Sequence, residues 1–221
     1  MLASYAPLHN TLMNQRSYSL GVAAVMSLLN ECSSRVIFCL ERLGRKFIRY
    51  PHLFYTESDM HCYLYYLLYA GRTFKGFVET ADGKKTILLH KELPTIGKYA
   101  RDSQGLLVPS KKARARGHFD IAIINGLLSK RRDLKHQRAV IAVELGLDED
   151  ITHFKNDLAK LTDARNDVNQ GFIAHFAREK PILTDELSAM KDLLKANPQI
   201  RSIIIDRSER TAKVYNRLQI E

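Results

Sequence analysis

The amino-acid sequence predicts an α/β protein preceded by a helical segment, and three observations carry that expectation. From "GHFDIAIIN" to "RSIIIDRS" the chain alternates β-branched apolar runs with helix-period segments, the pattern of strands and helices layered on one another. Hydrophobic residues make up 45% of the chain, enough for a real core. The length of 221 residues suits one sizeable domain with an appended N-terminal part.

Taken in order, residues 1–16 look irregular, and residues 18–30 and 33–47 read as two helices parted at Ser33 and Ser34. The second ends in the basic run "ERLGRKFIRYP", where Pro51 stops it. That run is either a solvated helix end, where cations suit the helix dipole, or a phosphate-contacting patch. Residues 1–49 are therefore expected to form an N-terminal helical segment packed on or appended to a core domain of residues 50–221. "TESDMHCYLYYLLYAGR" is a helix with Thr56 as N-cap, Asp59 completing a capping box, and Gly71 at its end. Its apolar line of Met60, Leu64, Leu67 and Leu68 extends back one turn to Glu57, which places that acid on the buried side.

"KTILLHKEL" reads as a strand after a turn at Asp82–Gly83, and residues 101–117 read as a polar, basic loop. Gly117 to Asn125 and Ala139 to Leu147 are two further strands. On the first, Phe119, Ile121 and Ile123 share one face, and His118, Asp120, Ala122 and Ile124 the other. On the second, Ile141, Val143, Leu145 and Leu147 oppose Val140, Ala142, Glu144 and Gly146. "DEDITHFKNDLAKLTDAR" is a helix striped by Ile151, Phe154, Leu158 and Leu161. "QGFIAHFA", "TDELSAMKDLLKAN" and "RSIIIDRS" follow as strand, helix and strand, with "TAKVYNRL" as an edge strand or tail.

Asp120 and Glu144 pose the chemical question. Each is a carboxylate within an apolar strand, where an unpaired charge is costly, and small residues (Ala122, Ala142, Gly146) leave room beside them. If the strands pair, the two acids lie side by side, and their repulsion is relieved by a divalent cation. Glu57 can supply a third acid. The other reading is that each acid is a structural charge paired with one of the 34 Lys and Arg residues.

This order of residues resembles the PD-(D/E)xK nuclease superfamily, whose members often carry a glutamate on the first core helix, an aspartate on one strand and E-x-K on the next. Glu57 matches the helix acid, "FDIAI" offers Asp120, and "AVELGL" offers Glu144. "HFKNDLAKL" is similar to the helix that follows, with Asp157, Lys160 and Leu161 in a D-x-x-K-L ending. The resemblance covers roughly residues 50–206. It implies a restriction-endonuclease-like central mixed sheet flanked by helices, and catalysis by Glu57, Asp120 and Glu144 around Mg2+, or Mn2+ in its place. Gly146 stands where the family has its lysine. Lys155, in the following helix, is the substitute expected to reach back toward the carboxylates, with His118 as a second candidate.

The expected function is a metal-dependent endonuclease hydrolysing DNA. The alternative is a catalytically inactive nuclease-fold protein that binds nucleic acid or serves as an assembly module. The formal charge of +10 favours a polyanionic partner. Phosphate contacts are expected from Lys111, Lys112, Arg114, Arg116, Lys130, Arg131, Arg132, Lys135 and Arg138. The tyrosines between 50 and 69 are expected to pack rather than to stack on bases. Cys32 and Cys39, on one helix face, read as small buried hydrophobes in a reducing cytoplasm. No membrane span is expected, and a homodimer is compatible with cutting both strands. Phosphate-loop, dinucleotide, nucleophile-elbow and H-E-x-x-H zinc motifs are absent from the sequence.

Overall fold

The computed structural model describes the backbone of residues 9–71, 73–113, 116–126, 130, 132–208 and 212–218, and side chains from Ser27 onward apart from Leu28 and those at the gaps. The element order is α1 (His9–Arg49), a 3-10 turn (Pro51–Leu53), α2 (Glu57–Ala70), β1 (Phe77–Glu79), β2 (Lys85–Ile87), β3 (Leu89–Arg101), β4 (Leu107–Pro109), β5 (Arg116–Ile124), β6 (Ala139–Leu147), α3 (Ile151–Thr162), β7 (Gln170–Ala177), α4 (Thr184–Ala196), β8 (Ile200–Asp206) and β9 (Lys213–Arg217). A short 3-10 turn at Leu134–His136 interrupts the β5–β6 connection. Seven strands form one mixed sheet in the order β4-β3-β5-β6-β7-β8-β9, and β1 and β2 make a separate hairpin. β6, β7 and β8 run parallel, and the other neighbours are antiparallel.

The sheet has a core on each face. Ile141, Val143, Leu145 and Leu147 of β6 meet α1 and α2, together with Phe172, Phe176 and Ile205. Ala122, Ala142, Ile173 and Ile204 meet Phe154, Leu158 and Leu161 of α3 and Met190 and Leu194 of α4. Parallel strands are joined by helical crossovers; α3 and α4 are those crossovers and both lie on one face, while α1 and α2 cover the other. Among the described residues no helix is long and apolar enough to cross a membrane.

Three expectations are corrected. First, α1 is one helix from His9 to Arg49: residues 9–16, read as irregular, belong to it, and there is no break at Ser33–Ser34. Cys32, Val36, Cys39, Leu40, Leu43 and Phe47 form one continuous buried stripe there, and packing of an apolar face outweighs the weak helix preference of serine. Second, β3 runs on to Arg101 through Pro94, with a register shift between Pro94 and Lys98. Third, Phe119 does not share a face with Ile121 and Ile123. It packs with α3 and α4, whereas they pack with α1 and α2. β5 therefore rotates at Asp120. Across the ladder, between the pairs Lys91–Ile121 and Leu93–Phe119, Glu92 adopts a left-handed φ of 55°, a conformation that costs on the order of 1 kcal/mol or more in a non-glycine residue. Backbone strain on β3 thus faces the acid on β5.

Candidate metal centre

The first turn of α2 is fixed by the capping box read from the sequence. The Thr56 hydroxyl accepts the Asp59 N–H at 3.3 Å, and the Asp59 carboxylate accepts the Thr56 N–H at 2.7 Å. Glu57 and His61, four residues apart on this helix, project on one side. His61 Nε2 lies 3.5 Å from Glu57 Oε1 and 3.5 Å from Asp120 Oδ2. Donor atoms of all three residues lie within 4.8 Å of one another.

Asp120 is brought to His61 by the end of a ladder. Pairing of β5 with β6 stops at Ile121–Val143. One step beyond, the Leu145 N–H donates to Asp120 Oδ2 at 2.6 Å. The next free amide, that of Leu147, donates to Glu57 Oε2 at 3.4 Å. The splayed end of β6 therefore holds both acids. Burial pushes the Asp120 carboxyl up from its ordinary range, with His61 and Lys160 opposing.

Glu144 is fully buried. Its Oε2 accepts from Lys160 Nζ at 2.7 Å, and its Oε1 makes no hydrogen bond. Burial raises its pKa well above the usual range, against the pull of Lys160. Lys160 Nζ also lies 3.0 Å from Asp157 Oδ1 and donates to the His118 carbonyl at 3.2 Å. Burial alone would lower the pKa of this ammonium, but Glu144, Asp157 and Asp120 raise it, so it stays charged. His153 completes the row on α3, with Nε2 3.0 Å from Asp157 Oδ2. Against its own burial, the bond and charge of Asp157, with Glu57 and Glu149, push the His153 imidazole up to about 9.

Glycines make space for this row. A Cβ at Gly117 would meet the Lys160 stem at 3.4 Å, and one at Gly146 would meet His175 Nδ1 at 3.0 Å and His153 Cδ2 at 3.6 Å. His175 stands on β7 directly beside Gly146. Burial and the His153 charge push its imidazole down to about 4, and its Nε2 makes no hydrogen bond.

Glu57 and Asp120 are thus gathered around His61, while Glu144, near enough to Asp120 for their charges to interact, is held separately by Lys160. Lys155 is not the cation at the site: it is exposed on the outside of α3. At ~100° per residue it points about 200° away from Asp157, whereas Lys160 falls on the same side as Asp157. His118 is exposed and contributes only its carbonyl. Sequence reasoning also missed His61, His153 and His175. His61 was within reach, since it stands at i+4 from Glu57 in a turn already assigned to the buried side.

Of the expected phosphate contacts, Lys111, Lys112, Lys130 and Lys135 are exposed, and Arg116 and Arg132 are half-buried. Arg138 is tied to Asp167. Arg114 and Arg131 lie outside the described residues.

The donor set fits a divalent cation. His61 is 7% exposed, yet its Nε2 faces two carboxylates and makes no hydrogen bond. A buried polar atom left in that condition costs about 1–3 kcal/mol. One imidazole nitrogen with two or three carboxylates is an ordinary set for Mn2+, Fe2+ or Zn2+, while Mg2+ prefers oxygen alone. No family model matches the chain, and no curated protein does.

Proposed function

We propose that the chain is a metal-dependent nuclease that hydrolyses DNA phosphodiester bonds on a restriction-endonuclease-like fold. The observation that carries this reading is the buried, unbonded Nε2 of His61, set between Glu57 and Asp120. Glu57, His61 and Asp120 are the residues that would hold the cation, whereas Glu144, the other acid expected to bind it, stands outside that group and rests on Lys160. A bound cation supplies Lewis-acid neutralisation of charge on a phosphate oxygen.

The chain's own residues do the rest. Lys160 takes the chemical place of the family's strand lysine, because its ammonium rests on Glu144 from the neighbouring helix. What is needed is a cation at a point in space, and the sequence position that supplies it is secondary. Asp157 and His153 fix the row from which Lys160 projects. The exposed Lys111, Lys112, Lys130 and Lys135 suit phosphate contacts that position a substrate without reading its sequence. The imidazole in the donor set favours Mn2+ over Mg2+.

The test compares cleavage of supercoiled plasmid and of single- and double-stranded oligonucleotides with Mn2+ or Mg2+. The proteins are the wild type, Asp120→Asn and His61→Ala, and Mn2+ binding is followed separately by electron paramagnetic resonance. Cleavage by the wild type should fall at least about a hundredfold in Asp120→Asn, and His61→Ala should weaken Mn2+ binding. A folded wild type that binds Mn2+ but cuts none of these substrates would sink the nuclease reading and leave a binding module.

A further inference from the structure

The segment that joins α1 to α2 carries an unusual surface. Residues 42–56 contain Arg42, Arg45, Lys46 and Arg49 and no acid. Tyr50 is 45% exposed, Leu53 53% and Tyr55 85%, contrary to the expectation that these tyrosines pack. Lys46 Nζ stands 4.8 Å from the centroid of the Tyr50 ring and Arg49 Cζ 5.2 Å from it. Lys46, Arg49, Tyr50, Pro51, His52 and Leu53 line an open groove of about 590 Å³.

The backbone that carries the exposed rings is held in place from beneath. Phe54 is buried and packs edge-on against Tyr63 at 5.4 Å. Arg178 donates to the Phe54 carbonyl at 2.5 Å, and Arg207 donates to the Ile48 carbonyl at 3.2 Å. Both ends of the segment are thereby tied to the ends of β7 and β8. With the backbone already fixed, binding has only the two side-chain torsions of each ring left to order. Tyr55 is also two residues from Glu57, ~7 Å along the chain at most.

We propose that this shelf binds an unpaired nucleic-acid strand and leads it to the metal centre, with bases stacking on Tyr50 and Tyr55 and phosphates meeting Lys46 and Arg49. The proposal rests on the nuclease reading and names its substrate class. Cations interleaved with exposed aromatic faces are the means by which single strands are held without sequence preference. A duplex keeps its base faces stacked inside and meets only the cations, so the rings distinguish the two.

Fluorescence anisotropy in EDTA tests the shelf apart from catalysis. Labelled single-stranded and blunt duplex oligonucleotides of the same sequence are titrated with the full chain. The variants are the double substitution Tyr50→Ala/Tyr55→Ala, the double substitution Tyr50→Phe/Tyr55→Phe, and Arg49→Gln. The alanine pair should weaken single-strand binding at least about tenfold, from stacking worth ~1–3 kcal/mol per base, with duplex binding unchanged. The phenylalanine pair should bind as the wild type does. Arg49→Gln should lower the salt dependence on both substrates. Equal loss on both substrates, no loss at all, or equally tight binding of a polyglutamate peptide or of anionic lipid vesicles would overturn the proposal. Single-strand binding by a wild type that cleaves nothing would sink the nuclease reading alone.

Discussion

Replacing Lys160 with methionine should be the most damaging single change at the site, and the damage should depend on pH. Methionine keeps the apolar stem that lies along Gly117 and removes only the charge. Lys160 Nζ is 2.7 Å from Glu144 and 3.0 Å from Asp157. At an effective dielectric of ~20 each contact is an attraction of about 6 kcal/mol. Desolvation of the lysine offsets much of that, and breaking a buried pair by removing one partner costs about 3–5 kcal/mol. The orphaned Glu144 can lower this cost only by taking a proton, so its already raised pKa rises further. A carboxyl whose folded pKa is raised binds protons that the unfolded chain has released, and the native state then loses stability as pH climbs above about 4.3. Urea unfolding followed by circular dichroism at pH 5, 6.5 and 8 reads this directly. The variant should be least impaired at pH 5 and most impaired at pH 8. Lys160→Met combined with Glu144→Gln should recover part of the loss. A cost under about 1 kcal/mol at pH 8, or one independent of pH, refutes the reasoning.

Two further outcomes follow from the same residues. His153, pushed up to about 9, contributes stability that is full below pH 6.5 and lost as pH rises through 9, while His175, pushed down to about 4, makes stability fall as pH drops from 6.5 toward 4. His153→Gln should therefore flatten the alkaline slope and His175→Gln the acid slope in urea midpoints measured from pH 4 to 9.5, and unchanged slopes would show that neither charge state is as described. Gly146→Lys, which rebuilds the family's E-x-K spelling, should destabilise by roughly 1–3 kcal/mol, because its Cβ meets His175 Nδ1 at 3.0 Å. It should not raise cleavage, since Lys160 already occupies Glu144. A stable and more active variant would return the missing lysine to the strand.

The sheet centre was legible because its signals are local and strong. Ala139–Leu147 and Gln170–Ala177 are the strands read from the sequence, since apolar runs bounded by polar residues and glycine leave few other choices. β3 was read only in part, because it runs through Pro94 and Gly97, residue types that signal the end or the weakening of a strand. The serines at 33 and 34 suggested a break, and only the depth of the apolar stripe beneath them removes it. At the site, the acids could be named because a charge in an apolar strand stands out. Their partners could not be ranked, because Lys155 and Lys160 differ only in rotation about α3, and that rotation is set by packing against β6. His175 had no signal at all: its importance comes from lying beside Gly146 in a parallel pairing that local sequence does not encode.

Gly146 and Gly117 together explain why the cation sits on a helix. The α3 face of the sheet must take a lysine stem, two imidazoles and the carboxylates of Glu144 and Asp157 at one helix. A lysine rising from position 146 would stand where His175 and His153 already lie, and the site would then lose the imidazolium that holds Asp157. With glycine there, the histidines pack in, Asp157 is fixed between His153 and Lys160, and the ammonium reaches Glu144 over the bare backbone of Gly117. On the nuclease reading proposed above, the absence of a lysine from β6 is therefore not a sign that the charge has been lost. The charge is present, largely buried and paired with two carboxylates, Glu144 and Asp157, the second carried on its own helix. That geometry also divides the labour within the cluster. Glu144 is held by Lys160 on the α3 side, and Glu57, His61 and Asp120 gather on the α2 side, where the two carboxylates accept the Leu147 and Leu145 amides and the His61 Nε2 between them makes no hydrogen bond. A structural network of buried polar groups would have closed that bond internally. That this one leaves His61 open toward two carboxylates is the reason to look for a metal there first.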